Sequence, residues 1–235
     1  MLNRIPKIIH YCWFGENEMP EVTRNIISQW HTILPEYQFI LWNEGNFDVG
    51  SNQYTSEAYA AKKYAFVSDY VRLYALSKMG GIYLDTDVVV NKKFDNFLNE
   101  KAFLSFESNR TVSTAVIGAE KGAQFINTIL KQYKNKHFLL KNGQYDEKPN
   151  SELIFKLFFK HEMDRNQIVK LSNVTFYSVD YFCAKDYKTY ESLKTSNTVC
   201  IHMLDATWYT GLKKIKREIK QFLIGKLHMG FLWKE

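Results

Sequence analysis

The chain has 235 residues, 46% of them apolar, and a formal charge of +6 from 31 basic and 25 acidic residues. At roughly 150 residues per domain this is one domain with an appendage, and the apolar fraction excludes disordered and collagen-like classes. Three cysteines at 12, 183 and 200, with no CxxC pair, argue against a zinc knuckle or a disulfide scaffold and for reduced thiols.

The opening Lys7–Gly15 run (KIIHYCWFG) reads as a buried strand closed by glycine. Its apolar stretch is too short for a signal peptide and contains His10, and no stretch of ~18 apolar residues follows anywhere, so a cytoplasmic location is expected. Pro20 begins a helix with Val22, Ile26, Ile27, Trp30 and Ile33 on one face, and Pro35 stops it. Gln38–Trp42 is a second strand, which completes a βαβ unit and sets the class as α/β. Residues 44–56 are polar and read as loop. Residues 57–79 read as helix, with a break near Tyr64, ending at Gly80-Gly81. Further strands are expected at 82–84, 88–90, 103–106 and 115–119, and short ones near 168–171, 174–178 and 198–202. Helices are expected over 122–133 and 151–160.

The chemistry concentrates in Ser68-Asp69-Tyr70-Val71-Arg72 and Gly80-Gly81-Ile82-Tyr83-Leu84-Asp85-Thr86-Asp87. Asp69 and Arg72, three apart, share one helix face. Asp85 and Asp87 stand at the end of an apolar strand, where open α/β sheets bind ligands, and strand alternation would point them the same way. Two such carboxylates suit a hard divalent cation that bridges phosphates. The plain alternative is a turn Asp-x-Asp and a solvated i,i+3 ion pair.

The run from Ala65 through Val88 resembles the DxD-containing glycosyltransferases of the Och1-like, capsular-polysaccharide group (glycosyltransferase family 32) and is similar to the glucosylating domains of clostridial toxins. Ile5-Pro6-Lys7-Ile8-Ile9-His10-Tyr11-Cys12-Trp13-Phe14-Gly15 resembles that family's opening strand, and Ile201-His202-Met203-Leu204-Asp205-Ala206-Thr207-Trp208 its closing motif. The resemblance implies a GT-A fold: a Rossmann-like mixed sheet flanked by helices, over residues 1–210. It also implies a nucleotide-sugar donor, with a UDP-sugar favoured, Mn2+ or Mg2+ as cofactor, a glycan acceptor and retention of configuration, as in capsular polysaccharide synthesis.

Carried over by position, Trp13 would stack on the base and Asp69 would accept sugar hydroxyls. Arg72 would lie by the sugar or diphosphate, and Tyr83 would line the sugar pocket. Asp85 would contact the ribose and the metal's water shell, Asp87 would ligate the metal, and His202 would complete its ligands. Thr207 and Trp208 would reach the leaving phosphate, and His10 and Ser68 complete the donor-binding set. Asp69, Arg72, Asp85 and Asp87 form the expected catalytic group. The chain departs from the pattern at Met203, where a second His is common, at Thr207 in place of Ser, at Thr114 in place of Asn, and around Pro149-Asn150, where the family's Gly-Pro motif is not clear.

Residues 211–235 carry seven basic and two acidic residues, a balance of +5, which leaves +1 for residues 1–210. Leu212, Ile215, Ile219, Phe222, Leu223 and Leu227 recur at helical spacing among the lysines, so this segment reads as a C-terminal basic amphipathic helix. It resembles a helix lying on an anionic membrane surface, which would place the enzyme peripherally beside a lipid-linked acceptor; packing on the domain is the alternative. A toxin-like transferase modifying a protein is a second reading. A basic nucleic-acid-binding module is a third, disfavoured because no RNP, KH or zinc signature accompanies the charge.

Overall fold

The computed structural model describes residues 3–204. Its centre is a seven-stranded mixed sheet in the order β2-β1-β3-β6-β5-β8-β7. The strands are β1 (Ile8–Cys12), β2 (Gln38–Trp42), β3 (Gly81–Leu84), β5 (Ala102–Ser108), β6 (Thr111–Ala119), β7 (Val169–Leu171) and β8 (Val174–Tyr177). β1, β2 and β3 pair parallel, as do β5 and β8, while β6 runs against both β3 and β5, and β7 against β8. The Rossmann-like mixed sheet expected from the sequence is therefore present. A small antiparallel pair, β4 (Val88–Val90) with β9 (Cys200–His202), stands beside it.

The βαβ unit forms as expected, with α1 (Glu21–Ile33) between β1 and β2 and a parallel register from Ile8 with Gln38 to Cys12 with Trp42. α1 buries Thr23, Ile27 and Trp30, and the Trp30 indole N–H donates to Val88 O at 2.8 Å, which fastens the helix to β4. Val22, expected on the buried face, is 59% exposed because the buried stripe runs through Thr23, Ile27 and Trp30 instead.

Residues 44–56 are not all loop. A 3-10 turn at Val49–Ser51 leads into α2 (Gln53–Ala60), whose N-cap Asn52 accepts the Tyr54 N–H. The chain then reverses at Lys62, in the left-handed region at φ 57°, before α3 (Tyr64–Met79). This is the break expected near Tyr64.

At the end of α3 the chain must turn into a strand between two layers. Gly80 and Gly81 have φ of +69° and +112°, and a Cβ on Gly81 would stand 2.6 Å from Ile8 O. No L side chain fits there.

β5 and β6 form a long hairpin, and α4 (Gln124–Leu130), α5 (Asn150–Phe158) and the short α6 (Val179–Phe182) follow. Apolar residues fill both faces of the sheet. One layer lies under α2 to α5 and includes Val67, Val71, Tyr83, Leu104, Phe106, Phe125 and Phe176. The other, under α1, β4 and α6, includes Ile9, Trp30, Ile82, Leu84, Phe103 and Phe182. Most of the aromatic excess is therefore core, including the stacked Phe103 and Phe182 rings at 5.1 Å. Among the described residues, no helix is long and apolar enough to cross a membrane.

Candidate active site

β3 is buried along its whole length, and it delivers Asp85-Thr86-Asp87 at its carboxyl end. The two carboxylates lie on a turn rather than in the strand: Val88 N–H donates to Asp85 O at 3.0 Å, and β4 begins at Val88. They converge through that turn, not through the strand alternation expected from the sequence.

The β4–β9 register then sets the third group. Val88 pairs with His202, and Met203 N–H donates to Asp87 O at 3.0 Å. This pairing brings His202 Nε2 to 3.4 Å from Asp87 Oδ1. Ligand atoms of Asp85, Asp87 and His202 all lie within 4.8 Å of one another. Burial works against the charged His202 ring, but Asp87 overrides it and holds its pKa well above the usual histidine value. The closing-strand histidine and the two carboxylates are thus one cluster, with oxygen and nitrogen donors that fit a divalent cation.

Behind this cluster, Arg72 organises the carboxylates. It is 5% exposed. Its Nε–H donates to Ser68 O at 3.2 Å, and Nη1 to Thr114 O at 2.7 Å and Asp85 Oδ2 at 3.5 Å. Nη2 faces Asp69 Oδ1 at 3.1 Å and Asp85 Oδ1 at 3.3 Å. The guanidinium also lies over the Tyr83 ring, 4.6 Å from its centroid. The planar fork therefore faces protein oxygens from Nε, Nη1 and Nη2. The solvated-pair alternative does not hold. Arg72 bridges Asp69 and Asp85.

Asp69 is 9% exposed, and burial pushes its pKa up to about 6 despite the Arg72 charge. Asn150, itself buried at the start of α5, donates from Nδ2 to Asp69 O at 3.3 Å. The region around Pro149-Asn150 thus touches the site, although no clear motif marks it.

Two members of the expected donor set have other roles. His10 is fully buried; its Nε2 bonds Gly80 O at 2.8 Å and its Nδ1 accepts the Trp42 indole N–H at 3.1 Å. Burial lowers its pKa, so it is a neutral clamp between β1, β2 and the glycine turn, with no polar atom left for a ligand. Tyr83 is also buried, and its hydroxyl donates to Asp85 Oδ1 at 2.8 Å. It supports the carboxylate from beneath instead of lining a sugar pocket.

Trp13 stands half-buried just past the end of β1, its indole N–H on Asn17 O at 2.8 Å. The Ser68 hydroxyl bonds back to Tyr64 O at 3.2 Å within α3. Thr207, Trp208 and the basic segment 211–235 lie outside the described residues.

Two residues that no sequence pattern marks also reach the site. Glu107, near the end of β5, and Cys183, after α6, place ligand atoms within 4.8 Å of each other and of His202. Burial raises the pKa of the Glu107 carboxyl, and Thr111 Oγ1 donates to it at 3.2 Å. An isolated Glu and an isolated Cys carry no spacing signal, so only the fold reveals them.

Residues 20–104 match the family described as a glycosyltransferase sugar-binding region containing a DXD motif. Inositol phosphoceramide mannosyltransferase 3 of Schizosaccharomyces pombe is 31% identical over 157 residues, 62% of this chain and 43% of the relative. Mannosyl phosphorylinositol ceramide synthase CSH1 of Saccharomyces cerevisiae is 30% identical over 56% of this chain and 36% of the relative. The chain thus spans less than half the length of these curated relatives. Among solved structures, the galactosyltransferase LgtC in complex with donor and acceptor sugar analogues aligns over 93% of this chain and 95% of its own, at 14% identity and a TM-score of 0.47. The match over residues 20–104 takes in Asp69, Arg72, Asp85 and Asp87. This segment of the chain is thus similar to a DXD-containing glycosyltransferase sugar-binding region.

Proposed function

We propose that the chain is a cation-dependent glycosyltransferase that moves a sugar from a nucleotide-sugar donor to a glycan or glycolipid acceptor. The observation that carries this reading is the convergence of Asp85 and Asp87 with His202, set against the buried Asp69–Arg72–Asp85 network. A divalent cation such as Mn2+ held by Asp85, Asp87 and His202 would supply positive charge to the donor's diphosphate. Arg72 and Tyr83 fix Asp85 so that its carboxylate needs no rearrangement when the donor arrives. Asp69 would accept donor-sugar hydroxyls as an ionised carboxylate, and Trp13 at the end of β1 would stack on the base.

In the transfer, the bond from the anomeric carbon to the phosphate oxygen breaks and a bond to the acceptor oxygen forms. The acceptor proton passes to the departing phosphate oxygen. Asp69 is bound to Arg72, which favours same-face displacement with retention over a covalent intermediate on that carboxylate.

The sequence favours UDP-sugars and a surface or capsular glycan. The names of the curated relatives place mannose and inositol phosphoceramide among the donors and acceptors to test first. On its sequence, segment 211–235 is the part that would hold the chain on an anionic membrane bearing such an acceptor; vesicle flotation with and without it tests this. The function itself is tested by hydrolysis and transfer from a panel of UDP- and GDP-sugars with Mn2+. Asp87→Ala should abolish both turnover and Mn2+-dependent donor binding, and wild-type turnover in that variant would overturn the site.

A further inference from the structure

His202 faces two clusters. Its Nε2 lies toward Asp87, at 3.4 Å. Its Nδ1 is buried with no oxygen or nitrogen partner, and the ring lies against the Cys183 thiol. Glu107 and Cys183 complete the second cluster, with ligand atoms of all three within 4.8 Å of one another. The surroundings contain further unpaired polar atoms. Ser105 and Ser113 are directly paired across β5 and β6, so their side chains leave the sheet on the same face. Both hydroxyl oxygens are buried without an oxygen or nitrogen partner, and that of Ser113 lies against the Cys183 thiol. Buried polar atoms are rarely left unpaired, and several in one place mark a position for an ion or water.

The donor types distinguish this cluster from the first. Asp85, Asp87 and His202 are mainly oxygen ligands, suited to manganese or magnesium. Glu107, Cys183 and His202 are one oxygen, one sulfur and one nitrogen, a set that selects a thiophilic cation. Ligands at zinc distances stand ~3.3–3.8 Å apart, so side-chain adjustments of about 1 Å would close the triad. Cys183 is fully buried, and a cation that binds its sulfur displaces the thiol proton to solvent.

We propose that Glu107, Cys183 and His202 form a second cation site for a zinc-class metal, sharing His202 with the Asp85–Asp87 cluster. A neutral imidazole has one free lone pair, so zinc on one ring nitrogen leaves the proton on the other, which removes His202 from the first cluster and lowers its affinity for manganese.

The zinc site stands without the transferase reading, whereas the competition with manganese rests on the cation site of that reading; the test needs no sugar. Co2+ is added to the full chain and thiolate-to-cobalt charge transfer is followed in the near ultraviolet. Wild type, Asp87→Ala and Cys200→Ser should show the band, and Cys183→Ser should lose it. Glu107→Gln should weaken Zn2+ binding about tenfold or more. In wild type, Zn2+ should also reduce Mn2+ binding measured by electron paramagnetic resonance. Circular dichroism checks each fold; should Cys183→Ser not fold, the wild-type band and the Glu107→Gln titration decide. No band in wild type, a band that follows Cys200 rather than Cys183, unchanged Zn2+ affinity in Glu107→Gln, or Mn2+ binding indifferent to Zn2+ would overturn the proposal.

Discussion

Replacing Arg72 with methionine keeps much of the side-chain volume but removes the charge between Asp69 and Asp85. Arg72 is almost fully buried and bridges Asp69 at 3.1 Å and Asp85 at 3.3 Å, so water cannot take its place without rearrangement. Removing one partner of such a buried pair costs about 3–5 kcal/mol, because the remaining carboxylates stay desolvated. At 2–4 °C per kcal/mol for a chain of this size, Tm should fall by roughly 6–20 °C.

The loss should also depend on pH. Burial already lifts Asp69 to about 6, and Arg72 opposes that lift. A carboxyl whose folded pKa exceeds its unfolded value favours the fold below the unfolded value and loses that contribution as pH rises through the folded one. Without Arg72 the Asp69 value rises further, so the variant's deficit should be largest near pH 8 and shrink as pH falls toward 5. Urea unfolding of both proteins at pH 5 and 8 measures this. A deficit under about 1 kcal/mol, or one that does not vary with pH, would refute the view that Arg72 neutralises buried carboxylates.

Two further outcomes follow from the same geometry. On the proposed role of Asp69 as an ionised acceptor of sugar hydroxyls, kcat/KM should rise with pH through about 6, and Asp69→Asn should lower the plateau and remove that limb; a profile unchanged in the variant would exclude Asp69 from donor binding. His10→Ala strands the Gly80 carbonyl and the Trp42 indole N–H, at about 1–3 kcal/mol each, and should therefore lower stability while leaving donor KM within about twofold at a temperature where the variant is folded. A large rise in KM would restore His10 to the donor site.

The site was legible wherever a short-range pattern coincided with chemistry. The apolar run before Asp85 and the two glycines marked a strand that ends on carboxylates. The Ser68–Arg72 spacing put Asp69 and Arg72 on one helix face. Opening and closing motifs located His202 although it is remote in sequence. The same reading failed where a residue's partners come from elsewhere in the chain. His10 lies on a strand whose pattern does not show that Trp42 and Gly80 enclose it, and Tyr83 looks as available to a ligand as to Asp85. The first turn of the helix at Gln53–Ala60 was hidden by polar residues, and its packing on α3 overrides that weak local signal.

By itself, the sequence determined the α/β class, the βαβ opening, the glycine turn, the carboxylate pair and the concentration of basic charge in residues 211–235. These depend on hydrophobic periodicity, backbone freedom and charge counts, which act over a few residues. Tertiary structure alone decided that Arg72 is buried between two carboxylates, and that the β4–β9 register sets His202 against Asp87. It alone brought ligand atoms of Glu107 and Cys183 within 4.8 Å of one in that ring. Burial and partnership depend on which distant strands pair, and that pairing fixes which groups lose water and which charges meet.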